Sequence, residues 1–202
     1  MRHQPRARDR HRRGQSLVEF ALVLPMFLLV IIAFVEFAFA FSTLNSLNFA
    51  ARDLAQFAAE AGTQAGADCS TLNLLEKEFG ASSQPAGITS VVIYWSDGDG
   101  NIVNSAMNQY NRTGSWTCTD LGGVSRTLPY TGATIAYPET ERCAVLRGCP
   151  SPPKVFNHPA LDTIGVRLTY AYQWITPLAS LLNLAGTPNF TSTQQVRIEP
   201  VL

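Results

Sequence analysis

Two carboxylates stand in the longest apolar stretch of the chain, and their position needs a chemical reason. The stretch runs from residue 17 to residue 41, with Glu19 near its start and Glu36 near its end. A charged side chain at bilayer depth costs at least about 2.5 kcal/mol, so each acid needs a partner or water. Glu36 lies about 26 Å further along a helix than Glu19, where we expect headgroup water to reach it. Glu19 has no such explanation.

Other residues offer weaker prospects for chemistry. Asp97, Asp99 and Asn101 have the spacing of a calcium loop but lack its glycine and distal glutamate, so a plain hairpin turn is the better interpretation. The sequence has no nucleophile elbow, phosphate loop or zinc-protease motif, and its three histidines are scattered. We therefore expect no catalysis, no metal and no cofactor.

The four cysteines, by contrast, form a consistent set. All of them follow the apolar stretch: Cys69, Cys118, Cys143 and Cys149. An even number in one region predicts disulfides in an oxidising compartment. Cys143 and Cys149 are six residues apart, with Arg147-Gly148 available for a turn, so we predict that they pair with each other. Cys69 then pairs with Cys118.

The element that must position the two acids is a membrane helix. A helix over residues 17–41 is about 37 Å long, against about 30 Å for the hydrocarbon core of a bilayer. The 13 residues at the N-terminus contain six arginines and one acid, Asp9. Such a basic flank predicts a cytoplasmic N-terminus and an extracytoplasmic remainder. Beside an apolar stretch this basic tail is a topology signal, so we expect no nucleic-acid partner.

The residues around Glu19 are similar to those of a known family. Gly14-Gln15-Ser-Leu-Val-Glu19-Phe20, after a basic leader and before a long apolar helix, resembles type IV-type prepilins and pseudopilins. Its continuation to Pro25, with Glu36 as a second acid, resembles the TadE-like pseudopilins of the tight-adherence (Tad/Flp) pilus. The similarity extends to an Ala/Arg-rich helix at 48–59 and to C-terminal segments at 165–174, 177–178 and 196–200.

This resemblance implies a processing and assembly chemistry. A prepilin peptidase cuts such proteins after the glycine, here Gly14, and leaves Gln15 with a free α-amino group at the membrane face. Glu19, followed by the aromatic Phe20, then pairs with the amine of a neighbouring subunit. The implied partners are other pilin or pseudopilin subunits, the pilus assembly machinery, the peptidase and membrane lipid. Gln15 is a departure, because many pilins carry phenylalanine at that position.

Two alternatives compete with this interpretation. Ala38-Phe39-Ala40 has the small-x-small form of a signal-peptidase site, which would release a soluble protein, although the preceding apolar segment is long for a signal peptide and contains acids. The chain could also be a single-span receptor or adhesin with a disulfide-bonded external binding domain. The Gly14/Glu19 spacing favours the pseudopilin, because a simple anchor has no use for an embedded acid.

The sequence predicts an α+β fold in which one long N-terminal helix packs on a small antiparallel sheet. We divide the chain into a basic cytoplasmic leader (1–14), a transmembrane helix (15–41), an amphipathic continuation (42–62) and an extracytoplasmic domain (63–202). An apolar stripe in the continuation has the spacing of a packed helix face and is assigned to the chain's own sheet or to a second subunit. Its members are Leu44, Leu47, Ala51, Leu54, Ala58 and Ala61.

Hydrophobic periodicity and turn residues predict the elements of the external domain. We expect a short helix from Ser70 or Thr71 to Phe79, ended by Gly80. A strand over 88–95 should turn at 97–100 and return over 101–104. Residues 108–159 are interpreted as a long ordered loop. An alternating strand over 164–174, a short helix over 177–184 and a final strand over 193–199, with Val196 and Ile198 pointing inward, complete the prediction.

Overall fold

The computed structural model describes residues 9–82, 87–145, 149, 158, 160–181 and 186–198. Its helices are α1 (Asp9–Ala61), α2 (Ala67–Ser82) and α3 (Leu178–Leu181), with a 3-10 turn at Glu139–Glu141. Its strands are β1 (Ile88–Ser96), β2 (Ile102–Asn111), β3 (Trp116–Thr119), β4 (Ser125–Leu128), β5 (Thr131–Ile135), β6 (Thr163–Ala171) and β7 (Asn189–Arg197).

The chain divides into two compact units. One comprises residues 1–41 with residues 174–186, and the other comprises residues 42–173 with residues 187–202. The first unit contains the apolar part of α1 and the segment around α3. The second contains the sheet, α2 and the remainder of α1.

Helix α1 ends at Ala61, one residue before the predicted end of the amphipathic continuation, and it begins earlier than predicted. It is continuous from Asp9 to Ala61, so it includes the end of the basic leader as well as Pro25. The helix ends where Gly62 adopts a left-handed conformation (φ 54°) and donates from its N–H to the carbonyl of Ala58 at 3.1 Å. Arginine is a good helix former, which is why the leader extends the helix.

The second unit is built on a five-stranded antiparallel sheet, which confirms the α+β prediction. Its strand order is β5-β2-β1-β6-β7, and β3 and β4 form a separate two-stranded sheet. The central strand β1 is buried along most of its length, with Val91, Ile93 and Tyr94 inaccessible to solvent. Tyr94 covers Gly165 of β6, where a Cβ atom would collide with the tyrosine ring.

From residue 42 onward, α1 packs its apolar stripe against this unit. Leu47, Ala51, Leu54 and Ala58 are fully buried, and a hydrogen bond of 2.6 Å from Ser192 Oγ of β7 to Asn48 Oδ1 joins the helix to the sheet. The assignment of these stripe residues to the chain's own core is therefore confirmed. Leu44, at the start of the stripe, is only half-buried.

The prediction of a long loop over residues 108–159 was wrong. The hairpin turn at 97–100 is present, but its second strand β2 extends to Asn111, and β3, β4 and β5 follow before residue 136. Two features hid these strands from sequence analysis. The buried positions of β2 include a polar residue, Asn108, which breaks the apolar alternation, and β3 and β4 have only four residues each.

The other boundaries also shift. Helix α2 begins at Ala67 and continues past Gly80 to Ser82, because one glycine weakens a helix without having to end it. Strand β6 ends at Ala171 rather than 174, and β7 begins at Asn189 rather than 193. Ile198 is buried, as expected, and Val196 is half-buried. Helix α3 is described only to Leu181; the rest of the expected helix lies outside the described residues.

Candidate functional site

The apolar part of α1 presents its side chains outward. Residues 15–31 are all exposed, including Phe20 at 61% and Phe27 at 59%. Within the part of the chain that is described, Gln15–Ala61 is the one helix long and apolar enough to cross a membrane. Its length and composition are consistent with a membrane anchor.

The first acid lies on this outward surface. Glu19 is exposed, and its Oε1 accepts a hydrogen bond of 3.1 Å from the side-chain amide of Gln15, one turn earlier. Gly14 and Gln15 both lie within α1. The structure therefore brings Gln15 and Glu19 together on one helix face, with Phe20 next to them. An amide dipole solvates a carboxylate only in part, so Glu19 keeps acceptor capacity for a cation.

The second acid has a different environment, and the expectation that water reaches it was wrong. Glu36 is only 2% exposed. Its Oε1 accepts from the backbone N–H of Ile175 at 3.2 Å, and its Oε2 accepts from the backbone N–H of Thr176 at 2.8 Å. The carboxylate thus fixes the chain before Pro177 against the apolar helix.

The two acids are not brought together. They are 17 positions apart in one continuous helix, about 26 Å by helical rise. Glu36 is bonded inside its own unit, whereas Glu19 stands on the exposed surface. Their roles must therefore differ.

In the second unit, a buried ion pair lies beside the disulfides. Arg142, fully buried, pairs with Asp68, and Asp68 also accepts from the Tyr110 hydroxyl at 2.8 Å and from Asn108 Nδ2 at 2.7 Å. Burial alone would lower the pKa of Arg142, but Asp68 raises it above its ordinary value, so the guanidinium stays charged. Burial and the nearby Asp68 carboxylate raise the pKa of Tyr110, which stays protonated.

A second buried carboxylate continues this cluster. Asp162 accepts from the Tyr137 hydroxyl at 2.5 Å and from the backbone N–H of Cys143 at 2.9 Å, and its other oxygen lies 2.5 Å from His158 Nδ1. Burial, followed by the charge of Asp162, raises the pKa of Tyr137. These groups fix the ends of chain segments that have little regular structure, which indicates a structural role.

Both disulfides are present. Cys69 of α2 is bonded to Cys118 of β3, and Cys143 is bonded to Cys149. The pairing is the one that the sequence predicts; the turn expected at 147–148 lies outside the described residues. The first bridge attaches the two-stranded sheet to α2, where Ser70 Oγ also accepts from the N–H of Leu121 at 2.8 Å.

The acidic hairpin has the bonding of a turn. Asp97 Oδ1 accepts from the backbone N–H of Asp99 at 2.8 Å and from that of Asn101 at 3.1 Å, while Oδ2 accepts from Asn101 Nδ2 at 2.9 Å. These bonds lower the pKa of Asp97. Among the described residues, no group of three or more His, Cys, Asp or Glu side chains could hold a metal ion.

Sequence analysis missed the loop partner of Glu36 and the buried ions. No local pattern links Glu36 to residues 175 and 176, which are 139 and 140 positions away. The buried pair did leave a signal: Asp68 precedes Cys69 and Arg142 precedes Cys143. Both charged residues are buried next to disulfide cysteines, and a buried charge needs an opposite charge beside it.

Comparison with known proteins gives one match. Residues 14–56 match the model of the family described as TadE-like protein, a segment that includes Gly14, Glu19 and Glu36. The match supports classifying the chain as TadE-like. No match was found among curated proteins or among solved structures.

Proposed function

We propose that this chain, TadE-like by its match over residues 14–56, is a minor pseudopilin-like structural component of a Tad pilus or a related secretion filament. It is a single-pass membrane protein with a cytoplasmic N-terminus and an extracytoplasmic disulfide-bonded domain. Prepilin peptidase cuts it after Gly14, and Glu19 then binds the free N-terminal amine of a neighbouring subunit.

The observation that carries this proposal is the contrast between the two acids. Glu36 receives two backbone N–H groups from its own unit, which accounts for its place in an apolar stretch. Glu19 stands on the exposed surface of the apolar stretch, which the proposal places in lipid, with the side chain of Gln15 beside it. A carboxylate there is unfavourable unless a cation meets it, and the cation comes from another chain.

The remainder of the chain supports an assembly role. The part of helix α1 from residue 42 onward is packed into the core of the second unit, as expected for the helix of a pilin-like external domain. In the second unit, the carboxylates of Asp68 and Asp162 accept hydrogen bonds from Tyr110, Tyr137 and the backbone of Cys143, beside the disulfides. Disulfides and buried polar bonds of this kind suit a structural domain that works outside the cytoplasm.

The experiment is to replace Glu19 and compare it with a matched acid on the same helix. Gln56 and Glu60 repeat the Gln15–Glu19 arrangement, with an amide-to-carboxylate bond of 3.2 Å four residues apart, but outside the apolar stretch. Glu19→Ala should insert into the membrane at least as well as the wild type, because a polar cost is removed. Its association with other pilus subunits should fall roughly a hundredfold, for a lost ion pair of about 3 kcal/mol.

The readouts are carbonate extraction for insertion, and co-purification and pilus counts for assembly, in cells that lack the wild-type chain. Glu60→Ala should behave as the wild type in all of them. Normal assembly with Glu19→Ala would contradict the proposal. An equal defect in both variants would show that any lost Gln–Glu pair on α1 is harmful, and it would remove the special role of Glu19.

A further inference from the structure

The segment that Glu36 holds belongs to the same compact unit as the apolar helix. This segment, residues 174–181, follows β6 and contains α3. Besides the two bonds to Glu36, it is closed by the indole N–H of Trp174, which donates to the carbonyl of Gly186 at 3.2 Å. It is therefore a tethered loop beside the helix.

The position of Glu36 fixes the depth of this loop. Glu36 is five residues before Phe41, where the apolar stretch ends, which corresponds to about 7.5 Å along the helix axis. The backbone N–H groups of Ile175 and Thr176 lie within hydrogen-bond distance of its carboxylate. The loop thus lies beside the apolar part of α1 and not beyond its end.

The composition of the loop suits that depth. The chain has no charged residue between Arg167 and Arg197. Ile175 is 57% exposed and Pro177 is exposed. Trp174, an apolar ring with a polar N–H, is of the type enriched at the boundary between headgroups and acyl chains.

Several backbone polar groups around Pro177 are provided with partners. Irregular backbone is excluded from hydrocarbon unless its N–H and carbonyl groups are bonded. Glu36 accepts from two consecutive N–H groups, and Pro177 has none to satisfy. The carbonyl of Pro177 accepts from the Ser180 hydroxyl at 2.7 Å.

From these observations we infer that residues 174–181 form a second membrane contact, which lies in the headgroup–acyl boundary of the outer leaflet and is held there by Glu36. Its partner is the lipid bilayer. The inference rests on the proposed membrane insertion of α1 and assigns Glu36 a function that Glu19 does not have. The loop fixes the level at which the chain leaves the bilayer, because it cannot move away from the interface without breaking both bonds to the helix.

Site-directed spin labelling measures this depth in the full-length protein. Three variants each carry one introduced cysteine: Ile175→Cys in the loop, Leu28→Cys in the middle of the apolar stretch, or Val124→Cys before β4. Val124 is 48% exposed and lies in the other unit. The native cysteines are bridged, so a nitroxide reacts with the introduced one. The protein is reconstituted in phosphatidylcholine–phosphatidylglycerol vesicles and probed with oxygen and a water-soluble nickel chelate.

We expect the label at 175 to be more accessible to oxygen than to nickel, at a depth between the labels at 28 and 124. Adding Glu36→Ala should move the label at 175 towards the nickel accessibility of position 124, whereas Glu19→Ala should leave it in place. Nickel accessibility at 175 equal to that at 124 would overturn the inference. Shielding from both reagents would also overturn it, because another protein surface would then cover the loop.

The label at 28 separates this inference from the proposed function. If it is buried in lipid while 175 is in water, α1 is inserted and only the second contact is wrong. If position 28 itself is accessible to nickel, α1 is not inserted and both proposals fail.

Discussion

At the scale of single residues, the two carboxylates in the apolar helix have different hydrogen-bond partners and different exposure. Glu36 is bonded to backbone N–H groups that arrive from residues 175 and 176, and it is almost fully buried. Glu19 is exposed beside Gln15. One carboxylate therefore stabilises the chain's own fold, while the other is available to a second chain.

Removal of Glu36 should release the backbone that it holds. A hydrogen bond to a charged group contributes about 1.5–3 kcal/mol, so Glu36→Ala should speed amide exchange at Ile175 and Thr176 by at least roughly tenfold. Hydrogen–deuterium exchange of a short peptide that ends at Pro177 reports on these amides, and Pro177 itself adds none. Glu19→Ala is the control, and unchanged protection in Glu36→Ala would contradict the assignment.

Three buried tyrosines predict how the second unit responds to alkaline pH. Burial is the main cause that raises the pKa of Tyr110, Tyr130 and Tyr137, and Asp68, Glu76 and Asp162, respectively, raise it further. The folded protein therefore keeps three protons that the unfolded chain loses above about pH 10. Their contribution to stability is complete below that pH and is lost as pH rises, at up to about 4 kcal/mol per pH unit.

Absorbance at 295 nm and near-ultraviolet circular dichroism test this together between pH 9 and pH 12. We expect these tyrosines to ionise only as the circular dichroism signal is lost. Tyr130→Phe removes one of the three protons and should make the alkaline transition less steep. Ionisation of all the tyrosines near pH 10 with the fold intact would contradict the buried cluster.

At the scale of elements, the disulfides differ in how much of the unfolded chain they restrict. Cys69–Cys118 spans 49 positions and Cys143–Cys149 spans six. Loop-closure entropy assigns about 4 kcal/mol to the long bridge and about 2 kcal/mol to the short one. Replacing both cysteines of a bridge by alanine should lower the free energy of unfolding more for the first pair than for the second.

Denaturant titration of the two double variants measures this order. Before it, alkylation and mass spectrometry of the native protein should detect no free thiol. A larger loss for the Cys143/Cys149 variant, or four reactive thiols in the wild type, would contradict this account.

The elements that sequence analysis predicted correctly are those with a local signal, and the elements that it missed depend on contacts with distant residues. Helix α1, strand β6 and the hairpin at 97–100 have strong local periodicity or turn residues, and sequence reasoning found them. Strands β3 to β5 are short, and their position depends on distant groups such as the disulfide to Cys69. The buried side of β2 is occupied by Asn108, whose amide is bonded to Asp68 and to the carbonyl of Tyr137. A polar side chain such as Asn108 is buried because hydrogen-bond partners from distant parts of the chain surround it in the fold. A hydrophobic pattern cannot predict such a position.

At the scale of the whole molecule, sequence analysis could single out the candidate residues near the N-terminus but not the contacts of Glu36. Gly14, Gln15, Glu19 and Phe20 lie within seven residues, so their spacing is visible in the sequence. The function of Glu36 was not visible, because it depends on how the chain returns to the first unit after β6. This return is a property of the tertiary fold.

The proposed function requires that the chain be cut at one defined peptide bond and stay in the membrane. In this proposal the basic leader stays in the cytoplasm, so the cut is expected at the cytoplasmic face and would leave α1 as an anchor from Gln15 onward. A signal-peptidase cut after Ala40 would occur on the opposite face and release a soluble domain.

The most direct test is the N-terminal sequence and intact mass of the protein purified from membranes of cells with a Tad system. The account predicts a chain that begins at Gln15, lacks the first 14 residues and remains in the membrane fraction. Gly14→Val should keep the leader attached and serves as the control. A soluble product that begins at Phe41 would contradict the account, and a wild-type chain that still begins at Met1 or Arg2 would contradict cleavage at Gly14.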